Sequence, residues 1–401
     1  MVAMIEVPGS RDWVDAIPPE QKIVLWCARA LVNPAAEDSV RSLVCGGLDW
    51  PDVVANAARH RLLPVVYEVV AGTAQDLISP AGLDLLREAT ATSTASGMAL
   101  VRELFRLHRV FEAAQIRVVP YKGPVLSWVA YGSFVRREYS DLDFAVQQQR
   151  IPDATAVLKS AGYRPLFDSQ EAHGGQDGFA PGQYSFFLDS QELLVEFHTE
   201  RTLRYFPNPI DFQELMGRLM TVDISGQRLR TFSIEDTLVM LCVHGAKHFW
   251  ERLMWVLDIA RLITVREVNS ALLLEIAAKM ESSRVLLLGL CLAHDVLEAP
   301  LPERLAEEIH RDRAVRDLAA KVCERYAGVS DPGAGVWRRT VFRLQSSDGI
   351  GQGLRHILRL AMSPTESDRK IVRLPRWLTP LYTLLRPWRL LREYGLGLKR
   401  R

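Results

Sequence analysis

Two aspartates in an apolar stretch carry the clearest chemical signal in this sequence. Asp141 and Asp143 alternate with apolar residues in the run Asp-Leu-Asp-Phe-Ala-Val, which ends at Val146 and is typical of a β-strand. Residues i and i+2 of a strand point to the same face, so the two carboxylates lie side by side. Such a pair repels unless a cation neutralises it. Mg²⁺ takes oxygen ligands and usually shares them with phosphate, so the pattern predicts a metal site.

A third acidic residue strengthens this interpretation. Glu196 lies within the apolar run Leu193–Phe197, where an unpaired buried charge would be costly. If the two strands are neighbours, three carboxylates converge, which is the usual equipment for two-metal phosphoryl transfer. The predicted cofactor is Mg²⁺, with Mn²⁺ as the alternative. An isolated Asp-x-Asp is more often a solvated acidic turn, and that reading stays open on these two residues alone.

The segments around these residues predict a fold that mixes helices and strands. Residues 19–70 have helical periodicity, and a long helix is expected over about 81–114, with Leu100, Leu104, Leu107 and Phe111 on one face. Short apolar runs predict strands at 116–121, 141–146, 184–188 and 193–198, the last two around a turn at 189–191. Helices are expected up to Tyr131 and over 152–161, a Gly-rich loop over 173–182, and mostly helix from Ile234 onward.

The predicted fold class is therefore α+β, with a small mixed-sheet core between an N-terminal helical region and a C-terminal helical domain. The predicted limits are 1–95 for the helical region, 96–230 for the core, 231–335 for the helical domain and 336–401 for a basic aromatic tail. A chain of 401 residues is long enough for two or three such units.

Composition favours a cytoplasmic protein without disulfides. The chain is 48% hydrophobic and 24% charged, which is ordinary for a globular protein. Its five cysteines are scattered without CxxC spacing, so neither a disulfide framework nor a zinc cluster is expected. The N-terminus does not have the pattern of a signal peptide. The sequence contains no uncharged apolar run long enough to predict a transmembrane segment.

The order of these motifs resembles a known family. An apolar strand leads into Lys122-Gly123-Pro124, then Arg137 precedes the two aspartates, and a later strand carries Glu196-Phe197-His198. This order resembles the bacterial uncharacterised nucleotidyltransferase family of the polymerase-beta-like superfamily. The likeness continues through the helical segments 242–248 and 252–258 and into the tail at 381–395.

The resemblance implies roles for individual residues. The implied metal-binding and catalytic residues are Asp141, Asp143 and Glu196. The implied nucleotide-binding residues are Lys122, Gly123, Arg137 and His198. Gly123 would stand where the superfamily has a glycine-serine turn, so that phosphate approaches backbone amides at a helix N-terminus. Pro124 departs from that pattern and removes one amide donor and one hydroxyl, which Lys122 would offset with its charge. A second turn, Gly132-Ser133, is better explained as the end of the helix.

The downstream helical segment offers further contacts to a nucleotide. Lys247, His248 and Arg252 are predicted to contact phosphates or an acceptor as a wall of the cleft. His244 and His248 share a helix face and have metal-ligand spacing, but packed, hydrogen-bonded histidines explain them better because no third ligand is near in sequence. Arg137 is the best candidate for a triphosphate contact, with a surface ion pair to Glu138 as the alternative.

The tail is strongly basic and rich in aromatic residues. Residues 338–401 contain 15 Lys/Arg and 4 Asp/Glu, a balance of 15 − 4 = +11, whereas the whole chain has a net charge of +1. This asymmetry suggests contact with something anionic, such as a nucleic-acid backbone or a membrane surface, or with a protein groove. Packing of the aromatic residues on the protein's own helical domain explains the pattern equally well.

The sequence thus predicts an enzyme that moves a nucleoside monophosphate from a nucleoside triphosphate to an acceptor. The acceptor is left open among small molecules, saccharides, peptides and proteins. A non-catalytic interaction or regulatory protein of the same fold is the main alternative, and phosphotransfer through the same metal site is a weaker one.

Overall fold

The computed structural model describes residues 12–166, 182–200, 211–327, 336–362, 378 and 381–390. Helices dominate the chain, and a five-stranded mixed sheet lies in its middle third, so the predicted α+β class is confirmed. Apart from Gly182, the predicted Gly-rich loop 173–182 lies outside the described residues. No described helix is both long enough and apolar enough to cross a bilayer.

The N-terminal part is a set of helices that begin at prolines or capping residues. They are α1 Asp12–Ala16, α2 Pro19–Ala30, α3 Glu37–Cys45, α4 Trp50–His60, α5 Leu63–Thr73 and α6 Pro80–Ala113. Proline in the first turn costs no intrahelical hydrogen bond, and Ser79 caps α6 by accepting from the Gly82 amide at 3.1 Å. The predicted long helix is confirmed, with Leu100, Leu104, Leu107 and Phe111 buried.

The sheet lies on the long helix. In chain order, its strands and the helices between them are β1 Val119–Pro120, α7 Gly123–Tyr131, β2 Asp141–Ala145, α8 Ile151–Ser160, β3 Arg164–Pro165, β4 Gln183–Leu188 and β5 Leu193–His198. The strand order is β1-β2-β5-β4-β3, and only β2 and β5 pair in parallel. Phe111 of α6 packs against Phe144 and Phe197, so one face of the two central strands is core and the other is free for polar residues.

The strand predicted over 116–121 is shorter in the structure. Only Val119 and Pro120 pair with β2, in antiparallel orientation, because Pro120 has no amide to donate and Lys122 starts the turn into α7. The turn at 189–191 between β4 and β5 is confirmed.

A hairpin that was not anticipated follows the sheet. After the short helix α9 Phe212–Gly217, β6 Met220–Ile224 and β7 Gln227–Thr231 pair around Ser225 and Gly226, whose φ values are +53° and +79°. Two positive φ values identify the two-residue turn that suits the twist of a hairpin.

The C-terminal part is helical, as predicted from Ile234 onward. Its helices are α10 Ile234–Lys247, α11 Leu253–Val265, α12 Ser270–Lys279, α13 Ser283–Leu297, α14 Glu303–Arg311, α15 Arg313–Tyr326, α16 Val336–Gln345, α17 Ile350–Met362 and α18 Tyr382–Leu390. The predicted cap is present, since the Asp236 amide donates to Ser233 Oγ at 3.0 Å. Helix α13 is central and packs against α10, α11 and α15.

The long helix α6 runs without interruption through residues 95 and 96, where the helical region was predicted to meet the core. The helical region and the sheet therefore share one element, and the four domain limits stay a prediction. All five cysteines are free thiols, and four of them are buried.

Candidate active site

The parallel pairing of β2 with β5 assembles the candidate site. Asp143 lies directly opposite Glu196, and Ala145 lies opposite His198. Residues 194, 196 and 198 alternate with the buried Val195 and Phe197, so Glu196 and His198 point away from the core. The three predicted carboxylates thus share one sheet face, as the sequence analysis required of neighbouring strands.

Asp143 is the centre of this cluster. Its Oδ1 lies 2.7 Å from His198 Nε2 and 3.7 Å from Lys122 Nζ. His198 Nε2 is also 3.4 Å from Glu196 Oε2. The Asp143 side chain is only 6% exposed, so these charges interact through a region of low dielectric.

Neighbours on β4 hold Glu196 in place. Gln183 Nε2 donates to Glu196 Oε2 at 2.7 Å, and Ser185 Oγ donates to Glu196 Oε1 at 3.0 Å. Both residues lie on the strand beside β5, and Ser185 is directly opposite Glu196. With both oxygens oriented by neutral donors, Glu196 presents its remaining lone pairs in a fixed direction.

The two aspartates titrate in opposite directions. Burial, together with the charges of Asp143 and Glu196, raises the pKa of Asp141 to about 6. Burial also opposes ionisation of Asp143, but the nearby Lys122 charge and the His198 imidazole outweigh it and lower the pKa of that carboxyl. Asp143 is therefore the ionised member of the pair, whereas the raised pKa of Asp141 means that it takes up a proton at a higher pH than an ordinary aspartate.

Histidine 198 is held by the two acids. Burial alone would lower the pKa of His198, but its contacts with Asp143 and Glu196 overcome this and raise it. Tyr121 packs edge-on against the imidazole, with ring centroids 5.8 Å apart. The ring is thus fixed between an aromatic wall and the carboxylates.

The cluster is suited to a divalent cation. One donor atom each from Asp143, Glu196 and His198 lies within 4.8 Å of the others. Octahedral Mg²⁺ with bonds near 2.1 Å places adjacent ligands about 3 Å apart, so three such atoms fit around one ion. Mg²⁺ prefers oxygen ligands alone, whereas an imidazole nitrogen suits transition metals such as Mn²⁺ better.

The composition of this group differs from the predicted metal set. The predicted set is Asp141, Asp143 and Glu196, whereas the tight group among the described residues contains His198 in place of Asp141. Asp141 lies two residues before Asp143 on the same strand, at the end where α7 begins. Its role as a metal ligand stays a prediction.

Gly123 forms the turn predicted for phosphate. It is the first residue of α7 and has φ of +53°, a backbone conformation that favours glycine. A Cβ atom at this position would lie 2.9 Å from the Asp141 carbonyl oxygen. The turn therefore passes close to β2 only because residue 123 has no side chain, and it brings the N-terminus of α7 to the carboxylates.

The second turn behaves as expected of a helix end. Gly132 caps α7 in the left-handed conformation, with φ of +64°, and its amide donates to the Trp128 carbonyl at 2.9 Å. Ser133 then accepts from Ser127 Oγ through its carbonyl at 2.6 Å. Gly123 is thus the turn that meets the carboxylates.

Arg137 has a structural partner that the sequence did not indicate. Its Nε and Nη2 donate to the Asp258 carboxylate at 2.9 and 3.0 Å, and the Tyr131 hydroxyl donates to the same carboxylate at 2.9 Å. The Asp258 side chain is fully buried and that of Arg137 is 7% exposed. Glu138, offered earlier as its ion-pair partner, instead accepts from the Leu63 amide at 3.1 Å.

The single helix face predicted for His244 and His248 does not form, because α10 ends at Lys247 and the left-handed Phe249 and Trp250 break the helix before α11 begins. The rings of His244, His248 and Trp255 lie with centroids 4.8 to 5.3 Å apart. Burial and the Lys247 and Arg252 charges lower the pKa of His248 to about 4, and burial and the Lys122 charge lower the pKa of His244 well below its usual value. Both rings are neutral near pH 7. They form a packed wall, in line with the preferred non-metal interpretation.

Lys247 occupies a different side of its helix. It lines a small cavity with Glu281, Ser282 and Ser347, away from the carboxylates. Arg252 lies with its guanidinium 5.5 Å from the Trp255 ring centroid, at the first residue before α11. Arg252 therefore contacts the aromatic part of the histidine wall, and the Lys247 charge acts on His248 from the neighbouring helix end.

Arg61 was missed by the sequence analysis. It follows α4 in the left-handed conformation, with φ of +56°, and the Leu253 amide donates to the neighbouring His60 Nδ1 at 3.2 Å. This bond joins the Arg61 turn to the Arg252 turn. Burial, and then the charge of Arg252, lower the pKa of Arg61, while Glu138 and Asp141 oppose the shift. No motif in the sequence connects Arg61 with residues so far along the chain.

Within the described part of the chain, no acidic oxygen lies within ion-pair distance of the Arg61 guanidinium. A half-buried arginine without such a partner, beside a second arginine and near a carboxylate cluster, is available to an anionic ligand. Lys122 and Arg61 thus supply positive charge near Asp141, and Arg252 lies near Arg61.

Comparisons with known proteins identify the family. A family model described as uncharacterised nucleotidyltransferase matches residues 46–298, more than half of the chain. The crystal structure of an antigenic nucleotidyltransferase-like protein from Paracoccidioides brasiliensis is 18% identical, with 52% of this chain and 95% of that chain covered and a TM-score of 0.32. No curated protein matches the chain. The matched range contains all three carboxylates, the Gly123 turn and Arg252, and the chain belongs to the family of uncharacterised nucleotidyltransferases.

Proposed function

We propose that the protein transfers a nucleoside monophosphate from a nucleoside triphosphate to an acceptor, with a divalent cation bound by Asp143, Glu196 and His198. The observation that carries this proposal is the convergence of carboxylates from two parallel strands beside the Gly123 turn. Membership of a nucleotidyltransferase family supports the same reaction class.

The proposed reaction is an in-line displacement. An acceptor oxygen forms a bond to the α-phosphorus, the bond from that phosphorus to the bridging oxygen breaks, and pyrophosphate leaves with the electron pair. When bound, the cation would neutralise charge on the phosphate oxygens and orient the α-phosphate. The identity of the cation is proposed as Mg²⁺ or Mn²⁺, and the nitrogen of His198 favours Mn²⁺.

Protein groups would bind the triphosphate along one side of the site. The amides at the N-terminus of α7, next to Gly123, favour an anion through the helix dipole. Lys122, Arg61 and Arg252 would then neutralise the β- and γ-phosphates that leave as pyrophosphate. Both His198 and His248 were predicted to bind nucleotide. His198 would do so indirectly, as a ligand of the cation, and His248 would contact the nucleotide as part of the neutral wall beside Trp255.

Asp141 is the better candidate to accept the proton of the acceptor. Glu196 was also considered for this role, but Gln183 and Ser185 occupy both of its oxygens and its pKa is lowered, since the His198 contact outweighs the effect of burial. The pKa of Asp141 is raised to about 6, close to the value that suits a general base at neutral pH.

One observation favours the alternative of a non-catalytic interaction protein. Lys122 and His198 already neutralise Asp143 at 3.7 and 2.7 Å, so the carboxylate cluster is tolerated by the fold through these two side chains. A protein of this fold without nucleotidyltransferase activity could keep a buried aspartate that is neutralised in this way. The two functions are distinguished by measuring which phosphate of the nucleotide is transferred.

The test uses nucleoside triphosphates labelled at the α- or the γ-phosphate, with Mg²⁺ or Mn²⁺ and an extract of the source organism as the supply of acceptor. We expect transfer of the α-label with release of an equimolar amount of pyrophosphate. This transfer should be absent in Asp143→Asn and retained in Asp189→Asn. Asp189 is a suitable control because it lies exposed on the turn at the far end of β4 and pairs with Arg164. Transfer of the γ-label would mean phosphotransfer, and no transfer of either label would favour the interaction protein.

A further inference from the structure

The last two described helices expose an apolar stripe. Ile350, Leu354, Leu358 and Met362 recur every four residues on α17 and are 79%, 56%, 59% and 40% exposed. On α18, Leu384 and Trp388 are spaced in the same way and are 65% and 59% exposed. Side chains four residues apart lie on the same side of a helix, so each helix presents a continuous apolar face to solvent.

This exposure is concentrated in one region of the molecule. Of the large apolar side chains that are exposed in the described residues, most lie between Ile350 and Trp388, and the five most exposed are all there. Helices α17 and α18 pack against each other, so the two stripes lie on neighbouring helices. Contiguous exposed apolar surface of this kind marks a place of contact with something else.

The charges of the two helices limit what that contact can be. Together they carry Arg355, Arg359, Arg386 and Arg389 and no acidic residue, and Arg355 is 73% exposed although its Nη2 lies 3.7 Å from Glu281 Oε1. The whole segment 338–401 has a balance of 15 − 4 = +11. A nucleic acid would meet the arginines but would leave the aliphatic stripe in water. An anionic bilayer meets both, because the aliphatic side chains enter the headgroup boundary while the arginines remain beside the lipid phosphates.

We propose that α17 and α18 form a docking surface for an anionic lipid bilayer, with the stripe Ile350, Leu354, Leu358 and Met362 inserted at the interface. The helices lie on the membrane and do not cross it, in agreement with their length. This inference does not depend on the nucleotidyltransfer reaction, which occurs on the β2 and β5 strands.

The test is flotation of the full chain with vesicles of phosphatidylcholine alone or of equal parts phosphatidylcholine and phosphatidylglycerol. The protein is expected to float with the anionic vesicles only and to dissociate as salt is raised, because arginine–headgroup attraction is screened. Leu354→Asn/Leu358→Asn should weaken anionic vesicle binding by about tenfold or more. Both residues are exposed, so the variant should keep the melting temperature of the wild type.

The matched control is Leu77→Asn/Val265→Asn. Leu77 and Val265 are apolar side chains outside α17 and α18 that are 37% and 39% exposed. This variant should bind vesicles like the wild type. The inference is overturned if the wild type binds neither kind of vesicle, or if Leu354→Asn/Leu358→Asn floats as well as the wild type. Loss of self-association in the same variant, without vesicle binding by the wild type, would assign the stripe to a second copy of the chain instead.

Discussion

At the scale of single residues, the most informative side chain is Arg61. It stands beside Arg252 near Asp141 and has no acidic partner within ion-pair distance in the described structure, so its charge is offset only at longer range. An internal ion pair would make it part of the scaffold, whereas this arrangement leaves its donors available to phosphate. The residue therefore allows binding to be tested separately from folding.

Replacing Arg61 by alanine should weaken nucleotide binding without loss of stability. Removal of one charged hydrogen-bonding partner of phosphate costs about 1.5 to 3 kcal/mol, which corresponds to roughly tenfold or more in affinity. Because burial and Arg252 both disfavour the charged form of Arg61, the free energy of unfolding should stay the same or rise. Titration calorimetry and urea unfolding check the two parts, with Arg228→Ala on the exposed hairpin as control. Equal nucleotide affinity in Arg61→Ala and Arg228→Ala would show that Arg61 does not bind the phosphates.

Arg137 should behave in the opposite way. Arg137→Ala leaves the fully buried Asp258 without its main counter-charge, and breaking a buried ion pair costs about 3 to 5 kcal/mol. Arg136→Ala is the matched control, because Arg136 pairs with Glu68 at a half-exposed site where the loss is about 1 kcal/mol or less. Urea unfolding compares the two. A stable Arg137→Ala protein with reduced nucleotide affinity would instead support the direct triphosphate contact predicted from the sequence.

At the scale of elements, the turn between β1 and α7 places the helix N-terminus at the carboxylates. Gly123 and Gly132 both have left-handed backbones, but only at Gly123 would an added Cβ meet a neighbour within 4 Å, the Asp141 carbonyl. The two glycines therefore make a matched pair for measuring what the close approach requires.

Gly132→Ala should cost about 1 to 2 kcal/mol of stability, the usual cost of a left-handed backbone with a Cβ. Gly123→Ala should cost more and should also abolish nucleotide binding, because relief of the clash moves α7 away from β2. Thermal unfolding and calorimetry on both variants measure this. Equal destabilisation with retained binding in Gly123→Ala would show that the close approach is dispensable.

The junction between α4 and α11 should make stability depend on pH. Burial and the nearby Arg59 lower the pKa of His60 to about 4, and its Nδ1 accepts from the Leu253 amide. In the unfolded chain His60 takes up a proton near pH 6.5, so the stability that neutral His60 contributes to the fold is fully present above that pH. This contribution, roughly 1 to 3 kcal/mol of the free energy of unfolding, is lost as the pH falls from about 6.5 towards 4. His60→Asn keeps an acceptor but does not titrate.

Urea unfolding of wild type and His60→Asn at pH 7 and pH 5 isolates this effect. Other histidines with lowered pKa values contribute equally to both proteins, so the difference between them reports His60 alone. The account expects the variant to lose less stability than the wild type between the two pH values. If both proteins lose the same free energy of unfolding between pH 7 and pH 5, neutral His60 does not stabilise the contact between the two helices.

The sequence was sufficient for elements that are specified locally. Alternation of acidic and apolar residues predicted the Asp141 strand, helical periodicity predicted α6, and Ser233 predicted a cap, and all three are present. The hairpin at residues 220–231 also has a local signal, since Ser225-Gly226 separates two alternating runs, but that signal was not used.

The long-range pairings could not be predicted in the same way. The Arg137–Asp258 ion pair and the Arg61–Arg252 neighbourhood join residues far apart in the chain, and no periodicity encodes which helix packs on which. The entry of His198 into the donor group depends on the register of β5 against β2, which only the folded sheet fixes. The resemblance to a family pointed to Arg137 and His198 but did not supply their geometry.

At the scale of the whole molecule, the site joins three parts of the chain. The sheet supplies Asp141, Asp143 and Glu196, the turn after α4 supplies Arg61, and the turn before α11 supplies Arg252. The helical regions on either side of the sheet therefore contribute the positive charge that the carboxylates and a triphosphate both require. The basic apolar surface of α17 and α18 is a separate feature, formed near the C-terminal end of the chain.

The central claim is that the carboxylate cluster binds a nucleoside triphosphate through a divalent cation. The most direct test is titration calorimetry of ATP, GTP, CTP and UTP into the full chain with Mg²⁺ or Mn²⁺, repeated on Asp141→Ala/Asp143→Ala and on Asp189→Ala. The account predicts cation-dependent binding of at least one nucleotide, lost in the double variant and kept in the control. Absence of binding by folded wild type with either cation, or equal binding by the double variant, would contradict it.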